Sequence, residues 1–518
     1  MFNNGTENIR SYLLNNFSTI TFCRGFGTIS SFILDATILS YFGLNWKTDA
    51  FFVAYTVPLL ITSTLELQIT NVLVPTITQW EKEKGKPDTF KHVNNFTTIF
   101  VLFLFFVSFL NAFFAYYIIP IQIPGLEQRV KDISINMSLI LSWIIPVRGL
   151  SIIFNSILYT YHEYMYTSSM RLIINLVVIA TIMLLGKYLD IYALVIGNLI
   201  GTIIHVVIIM YILSKYGYIY KPILKLKDEY VRKIFRLILY PLSGSVLSEG
   251  KVVFENYFAS MFGSGVVSAL RYSTRLIQSL SSILLSGVYS TILPLVSNFI
   301  AQNNYDFMKK SILKGIKIII FISFPLSIWL VFCGKPLIIL MFERGEFTRV
   351  DANLVSVLIA IMVPYILFSR IISIFQSPFF ASMEMKIPVL SMLLSLIGHV
   401  LSIILLKDRI GIMGLALAYS TSTIITAIYM VVMFQRKFGE LGWKTINPYI
   451  SRISIVVGIM IIGFILSQNI TSNLNFDSVY GKIMMLFIPT MVGGVIFMCS
   501  SFFIGLIDKS IIKEILFK

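Results

Sequence analysis

The stretch VVSALRYSTRLIQSLSSILLSGVYSTILPL, residues Val266 to Leu295, is apolar enough to lie in a bilayer and carries two charges, Arg271 and Arg275, one helical turn apart. An arginine at the bilayer centre costs roughly 2.5 to more than 10 kcal/mol, so arginines inside spans face a wetted cavity and mark what passes through it. Two of them on one helix face point to an anionic cargo. The rest of the chain is built in the same way: 518 residues, 57% hydrophobic, 14% aromatic and only 13% charged, with a mean hydropathy of +0.84. That is about half the charge of a typical soluble domain. The fold class that follows is an all-α integral membrane protein.

At about 20 apolar residues per span, the sequence divides into about fourteen transmembrane helices. They begin with Ile20–Phe42, Ala50–Ile77 and Phe96–Pro120, pass through Ile133–Thr160, Ile238–Phe262 and Leu354–Ser382, and end with Ile450–Ser467 and Ile483–Ile507. Basic residues crowd alternate loops: Lys82, Lys84, Lys86 and Lys91 after the second span, and Lys215, Lys221, Lys225, Lys227, Arg232, Lys233 and Arg236 after the sixth. Lys309, Lys310, Lys314 and Lys317 follow the eighth, and Arg436, Lys437 and Lys444 the twelfth. Cytoplasmic loops hold such an excess, so both termini are expected in the cytoplasm. The net charge of +16 is then accounted for by orientation and by contact with membrane-lipid headgroups; nucleic acid is not an expected partner. Met1 to Thr21 lacks the apolar core and cleavage site of a signal peptide.

The sequence also matches itself at a spacing of about 220 residues. Tyr41-Phe42-Gly43, Ala50 and Val74-Pro75 find counterparts in Met261-Phe262-Gly263, Ala269 and Leu293-Pro294; Pro146 and Glu163 match Pro364 and Glu384; Lys215-Tyr216-Gly217 matches Lys437-Phe438-Gly439. Two pseudo-symmetric six-helix lobes are expected, residues 1–214 and 238–436, joined by a basic cytoplasmic linker at 215–237, with two further helices in 437–518. Paired halves with substrate bound between them are a recurring transporter plan.

Charges inside the spans supply the candidate site. Arg24 and Asp35 lie about three turns apart on one helix face, which also passes Gly25, Gly27, Ser30 and Ser31. Glu66 has Thr62, Ser63, Thr64, Gln68, Thr70 and Asn71 around it, enough to line water. Arg148 follows Pro146 and Arg370 follows Pro364 at roughly equivalent places in the two halves, where proline makes candidate hinges. The seventh span holds Glu249, Lys251 and Glu255, the last two spaced for an ion pair. Either they neutralise one another or a carboxylate holds a coupling ion. Guanidinium groups grip diphosphates in a bidentate way, so Arg271 and Arg275 are read as an anion-binding pair, or else as partners for Glu249 or Glu255. Cys23, Cys333 and Cys499 and the histidines His92, His162, His205 and His399 show no disulfide or metal spacing. Nucleotide-binding and hydrolase motifs are missing, so the expectation is a transporter without a cofactor rather than an enzyme.

These residues resemble the MurJ (MviN) family. The run Asp35-Ala36 through Tyr41-Phe42-Gly43, then Thr48-Asp49-Ala50-Phe51-Phe52-Val53-Ala54, Pro58 and Val74-Pro75, is similar to that family's opening. Val267-Ser268-Ala269, Tyr272, Arg275-Leu276 and Leu293-Pro294 resemble it too, and Pro336-Leu337 through Phe342-Glu343-Arg344-Gly345-Glu346-Phe347-Thr348 is similar to its most specific signature. The resemblance implies a fourteen-helix member of the multidrug/oligosaccharidyl-lipid/polysaccharide exporter superfamily, a multi-pass monomer of the bacterial cytoplasmic membrane. Such a protein flips the undecaprenyl-diphosphate-linked glycan lipid II by alternating access, and its two C-terminal helices offer a groove for the lipid tail. Arg275 matches a functional arginine of the family, and Asp35 and Asp49 match acidic positions. Asp35 and Glu66 would supply gating ion pairs, Asp49 would cap the outer end of the first hairpin, and coupling would be to membrane potential, Na+ or H+. Where the family would place arginines this chain has Leu34, Thr62 and Ser63, with Arg24, Arg148, Arg271 and Arg370 as candidate replacements. A capsule, exopolysaccharide or teichuronic-type repeat unit therefore stands beside lipid II as cargo, and an ion-coupled exporter of small molecules is the alternative class.

Overall fold

The computed structural model describes residues 25–238, 250–471 and 478–506, which are helical with short connections and, among these described residues, no strand. After α1 (Gly25–Phe42), Asn45 starts α2 (Trp46–Lys84): its side chain accepts from the Lys47 amide while Thr48 closes a reciprocal capping box. Helices α2 and α3 (Lys86–Gln122) run 39 and 37 residues, well beyond the about 20 that a bilayer requires. They turn on Gly85, whose φ of 78° favours a residue without Cβ, and the hairpin carries its lysines past the apolar layer.

The expected span Ile133–Thr160 consists of two helices, α4 (Gln128–Ser142) and α5 (Ile144–Thr160), meeting at Trp143. Pro146 has no N–H to offer the Ser142 carbonyl four residues back. Ser108 on α3 donates its hydroxyl to that carbonyl instead, at 2.7 Å. Then come α6 (Tyr164–Ser168), α7 (Met170–Leu189), α8 (Tyr192–Lys215), α9 (residues 229–238) and α10 (Lys251–Ser260). The second half runs α11 (Val266–Ala301), α12 (Tyr305–Phe342), α13 (Arg349–Met362), α14 (Pro364–Ala381), α15 (Lys386–Ile410) and α16 (Ile412–Phe438), followed by α17 (Asn447–Thr471) and α18 (Val479–Phe503). The expected span Leu354–Ser382 is likewise broken, at Val363 before Pro364, and here Ser420 of α16 donates to the Ile361 carbonyl at 2.9 Å.

The repeat extends to backbone conformation. His162 and Met383, each preceding a matched glutamate, both adopt positive φ (62° and 56°), as do Asp190 and Gly411 (49° and 61°) and Gly217 and Gly439 (81° and 82°). Among the described residues twelve helices are long and apolar enough to cross a membrane, or thirteen when the two arms of α11, Val266–Ser282 and Gly287–Ala301, bent by 45°, count as one span. The expected span Ile238–Phe262 runs over residues 239–249, outside the described set, and its described part is α10. A count of about fourteen is consistent with these helices.

By contact the chain forms two compact units, Met1–Ser268 and Ala269–Lys518. In the first, Leu65, Ile69, Leu73 and Ile77 of α2 pack against Phe96, Phe100 and Leu104 of α3 and Ile152, Ile153 and Ile157 of α5. Phe103, Phe106, Phe109 and Phe113 on the other side of α3 are exposed, which is the composition of a lipid-facing surface. In the second unit α17 and α18 pack on α12, where Trp329 Nε1 donates to Thr490 Oγ1 at 2.9 Å and Gln468 Nε2 to the Phe332 carbonyl at 2.8 Å. The two helices meet closely at Gly493, where a Cβ would lie 2.5 Å from the Phe464 ring.

Candidate functional site

Helix α11 begins as a buried helix. Tyr272, Ser273, Thr274, Leu276 and Ile277 are all buried, whereas Arg271 and Arg275 are partly accessible and Gln278 and Ser282 exposed. The spacing i, i+4, i+7, i+11 puts those four on one face. Lipid selects apolar residues for the exposed face of a span, so a polar exposed stripe on a buried helix marks a wetted surface. Arg370 on α14 joins it: its Nε donates to Ser281 Oγ at 2.9 Å, and an NH2 group lies 3.5 Å from Ser282 Oγ. Gln278 and Thr274 also line a narrow cleft with Tyr365 and Tyr419, whose rings stand edge-on with centroids 5.9 Å apart. Helices α11, α14 and α16 contain no acidic residue, and the described acids of this unit, such as Asp306, Glu343, Asp351, Glu384 and Asp408, stand at helix ends or in connections. The stripe thus brings three guanidinium groups together on helices that carry no acid of their own.

The first unit handles charge differently. Glu66 of α2 and Arg148 of α5 form an ion pair at 3.4 Å, the arginine side chain 17% and the glutamate 45% exposed. Thr62, Thr64 and Gln68 around Glu66 are buried. Asp35 is only 3% exposed, so it lies inside the packing rather than on an accessible face. Ser30 and Ser31, on the same side of α1, each accept from Asn175 Nδ2 of α7 at 2.9 Å; the close approach these small residues permit is to α7. The positions that would hold arginine in the resemblance are also packed: Leu34 is 6% and Thr62 1% exposed, and Ser63 alone is partly accessible.

Asp49, in the first turn of α2, is fully buried. Its carboxylate accepts the amides of Gly265 (2.6 Å) and Ser268 (2.8 Å) and the Ser268 hydroxyl, and Thr48 Oγ1 lies 2.9 Å from that hydroxyl. This caps the N-terminus of α11 with a negative charge at the positive end of its dipole. Lys251 and Glu255 lie one turn apart on α10, Glu255 5% exposed. Arg24 and Glu249 lie outside the described residues. His205 is a buried packing residue with Nδ1 3.0 Å from Ser151 Oγ.

Several polar side chains that build these surfaces were not singled out from the sequence. Asn256 of α10 donates to Thr56 Oγ1 of α2 (3.0 Å) and Gln122 Oε1 of α3 (3.1 Å). Asn256, Asn175 and Gln278 are carboxamides within apolar segments, and the desolvation argument that flags a charge would have flagged them at lower weight.

Comparison with known proteins agrees with this layout. The family described as lipid II flippase MurJ matches residues 38–487. A probable lipid II flippase MurJ of Buchnera aphidicola subsp. Acyrthosiphon pisum is 24% identical over 480 residues, covering 91% of this chain and 93% of its own. The lipid II flippase MurJ of Burkholderia cenocepacia is 22% identical over 437 residues, covering 80% and 84%. Among solved structures, a lipid II flippase MurJ in an inward closed conformation superposes with a TM-score of 0.78 at 22% identity, over 96% of this chain and 100% of the other. An inward-facing multidrug resistance MATE family transporter of the MOP superfamily superposes with a TM-score of 0.64 at 13% identity, over 79% and 94%. Both likenesses are of fold.

Proposed function

The chain belongs to the lipid II flippase MurJ family, and on that premise we propose that it moves lipid II, a polyprenyl-diphosphate-linked glycan, from the cytoplasmic to the outer leaflet by alternating access. The observation that carries the reading is the accessible stripe Arg271, Arg275, Gln278 and Ser282, with Arg370 at its end, in spans without a carboxylate. Arg275 and Arg271 bind the diphosphate, where planar guanidinium forks match phosphate oxygens better than ammonium groups do. Gln278 offers an amide to the first sugar. In the first unit Glu66 with Arg148, Asp35, and Lys251 with Glu255 are gating or ion-coupling residues, and Asp49 holds the outer start of α11.

The electrostatics suit net export. With the basic loops and both termini in the cytoplasm, the interior is at negative potential, and each negative charge moved outward gains about 2.3 kcal/mol per 100 mV. The arginines' own charge moves out with the cargo and back without it, so over a full cycle the gain is that of the cargo's charge alone; coupling is to this membrane potential, Na+ or H+. The reading is of a multi-pass transporter of the bacterial inner membrane that works as a monomer.

Depletion of the protein, followed by labelling of lipid-linked intermediates accessible from outside the cell, tests the cargo. Accumulation of lipid II on the cytoplasmic side is the expected result. Normal lipid II export with loss of another surface polymer would replace the cargo while leaving the diphosphate clamp in place.

A further inference from the structure

The link between α8 and α9 is held in a defined shape. Residues 218–227 form neither helix nor strand, yet their backbone is tied to α3 by side chains. Asn94 Nδ2 donates to the Ile219 carbonyl (3.3 Å), the Ile223 amide to Thr98 Oγ1 (3.2 Å), the Lys225 amide to Asn95 Oδ1 (2.7 Å), and Asn95 Nδ2 to the Lys225 carbonyl (3.0 Å). Asp228 closes the strap. Its Oδ2 accepts from Asn95 Nδ2 and lies 3.0 Å from His92 Nδ1, and its Oδ1 accepts the Tyr230 amide at 2.9 Å to start α9. Burial raises the pKa of this carboxyl, but the hydrogen bonds from His92, Asn95 and the Tyr230 amide outweigh it and hold the group below its ordinary range. The one acid of the strap is thus turned inward.

What faces outward is different. Lys221, Lys225 and Lys227 are exposed, and between and beside them Ile219, Leu224 and Leu226 are 63%, 58% and 75% exposed. Leu224 to Asp228 and His92 line an open cavity of about 620 Å³. Along α9, Val231, Ile234 and Ile238 are buried while Arg232, Lys233 and Arg236 are exposed. A rigid strap holding leucines into water is unfavourable, and no described part of the protein covers them. The strap follows closely on Lys215, where α8, a membrane span, ends. Apolar side chains flanked by lysines at that level suit the boundary between acyl chains and an anionic headgroup layer.

We propose that strap 219–227 is a docking surface for anionic phospholipid in the leaflet on the side of the lysine-rich loops. Leu224 and Leu226 enter the acyl boundary, and Lys221, Lys225 and Lys227 engage lipid phosphodiesters at the mouth of the cavity. The surface lies outside the diphosphate stripe and holds whichever glycan is moved. Its test uses the full chain in phosphatidylcholine vesicles with or without phosphatidylglycerol, and the variant Leu226→Trp read against the parent's five tryptophans. Leu226 is three-quarters exposed, so the larger ring meets no packed neighbour. The added emission is expected to be quenched by brominated-acyl lipid, more strongly with phosphatidylglycerol, and Lys225→Gln with Lys227→Gln removes that extra quenching. Emission unquenched in both vesicle types overturns the docking. Equal quenching in both overturns the role of the lysines. Relief of quenching by dissolved inorganic phosphate reassigns the cavity to a soluble anion and overturns the lipid. A fold check by size exclusion, with Leu224→Cys and its slower alkylation by a water-soluble maleimide in phosphatidylglycerol vesicles, keeps the result readable should the tryptophan variant misfold.

Discussion

Helices α2 and α11 hold matched places in the two halves of the repeat, Ala50 and Pro75 against Ala269 and Pro294, and they deal with charge in opposite ways. On α2 the two acids nearer its start have their answers within the same unit: Glu66 meets Arg148 at 3.4 Å, and Asp49 is taken up by the amides of Gly265 and Ser268. On α11 the charges are both cationic, Arg370 of α14 rests on serine hydroxyls, and α11, α14 and α16 hold no carboxylate. One fold thus carries two chemistries. The span that pairs its acids holds the architecture, and the span that carries two arginines presents them on a partly accessible face.

The sharpest way to break this contrast is to remove the arginines of α11. A hydrogen bond to a charged group is worth about 1.5 to 3 kcal/mol, so Arg275→Ala should lower transport roughly ten- to a hundredfold, with Arg271→Ala close behind. Lysine at 275 keeps the charge but loses the fork and should recover only part. The measurement is the rate at which lipid II in reconstituted vesicles becomes accessible to an external label. If Arg275→Ala transports normally while Arg271→Ala is inactive, the principal contact shifts one turn along α11.

Much of this was legible before any coordinate. Hydropathy and the cost of intramembrane charge dominate a chain of this composition, which is why the spans, the repeat and the Arg271–Arg275 pair read directly from the sequence. The breaks in the fourth and tenth spans were half legible. Pro146 and Pro364 announce the breaks, but not that Ser108 donates to the Ser142 carbonyl freed by Pro146 or that Ser420 donates to the Ile361 carbonyl beside the second break, because those serines come from other helices. The small residues on the polar face of α1 are legible in the sequence, but the helix they meet is not, because its contact residue Asn175 is far away along the chain. Likewise Glu66 and Arg148 are ordinary candidates until packing makes them a pair. Arg24 and Glu249, both read as site residues, lie outside the described part of the structure.

The architectural half is probed by stability rather than by flux. Asp49→Ala leaves the Gly265 and Ser268 amides and the Ser268 hydroxyl without their acceptor, and should cost about 2 kcal/mol, at the upper end for a helix cap. Asp49→Asn, keeping one acceptor oxygen, should cost less. Glu66→Gln comes next: with the glutamate nearly half exposed, solvent screens much of the pair, and about 1 kcal/mol is expected, largely recovered by adding Arg148→Gln. Thermal unfolding in detergent reads both. Loss of transport by Glu66→Gln at unchanged melting temperature would mean that the first unit also works on the cargo, and the division between the halves would fail.

The smallest effect gives the finest version of the comparison, because it uses one matched position in each half. Glu163 accepts from the Tyr216 hydroxyl, whereas its counterpart Glu384 pairs with Lys437. The hydrogen bond to Glu163, then burial and the carboxylate's charge, push the Tyr216 pKa up to about 12. A group whose folded pKa is raised adds stability that is full below the unfolded value of about 10 and fades as pH climbs through the folded one. The tie in the first half should therefore persist at neutral pH in any salt and weaken between pH about 10 and about 12. The second tie is an ion pair between side chains each 34% exposed, and at an ionic strength of about 1 M, where the screening length is about 3 Å, little of it should remain. Both Tyr216→Phe and Lys437→Gln should cost less than about 1 kcal/mol, but only the second cost should vanish in high salt. Melting temperatures of the two variants at low and high ionic strength separate them, and equal salt dependence would show that the matched glutamates are held by the same kind of force.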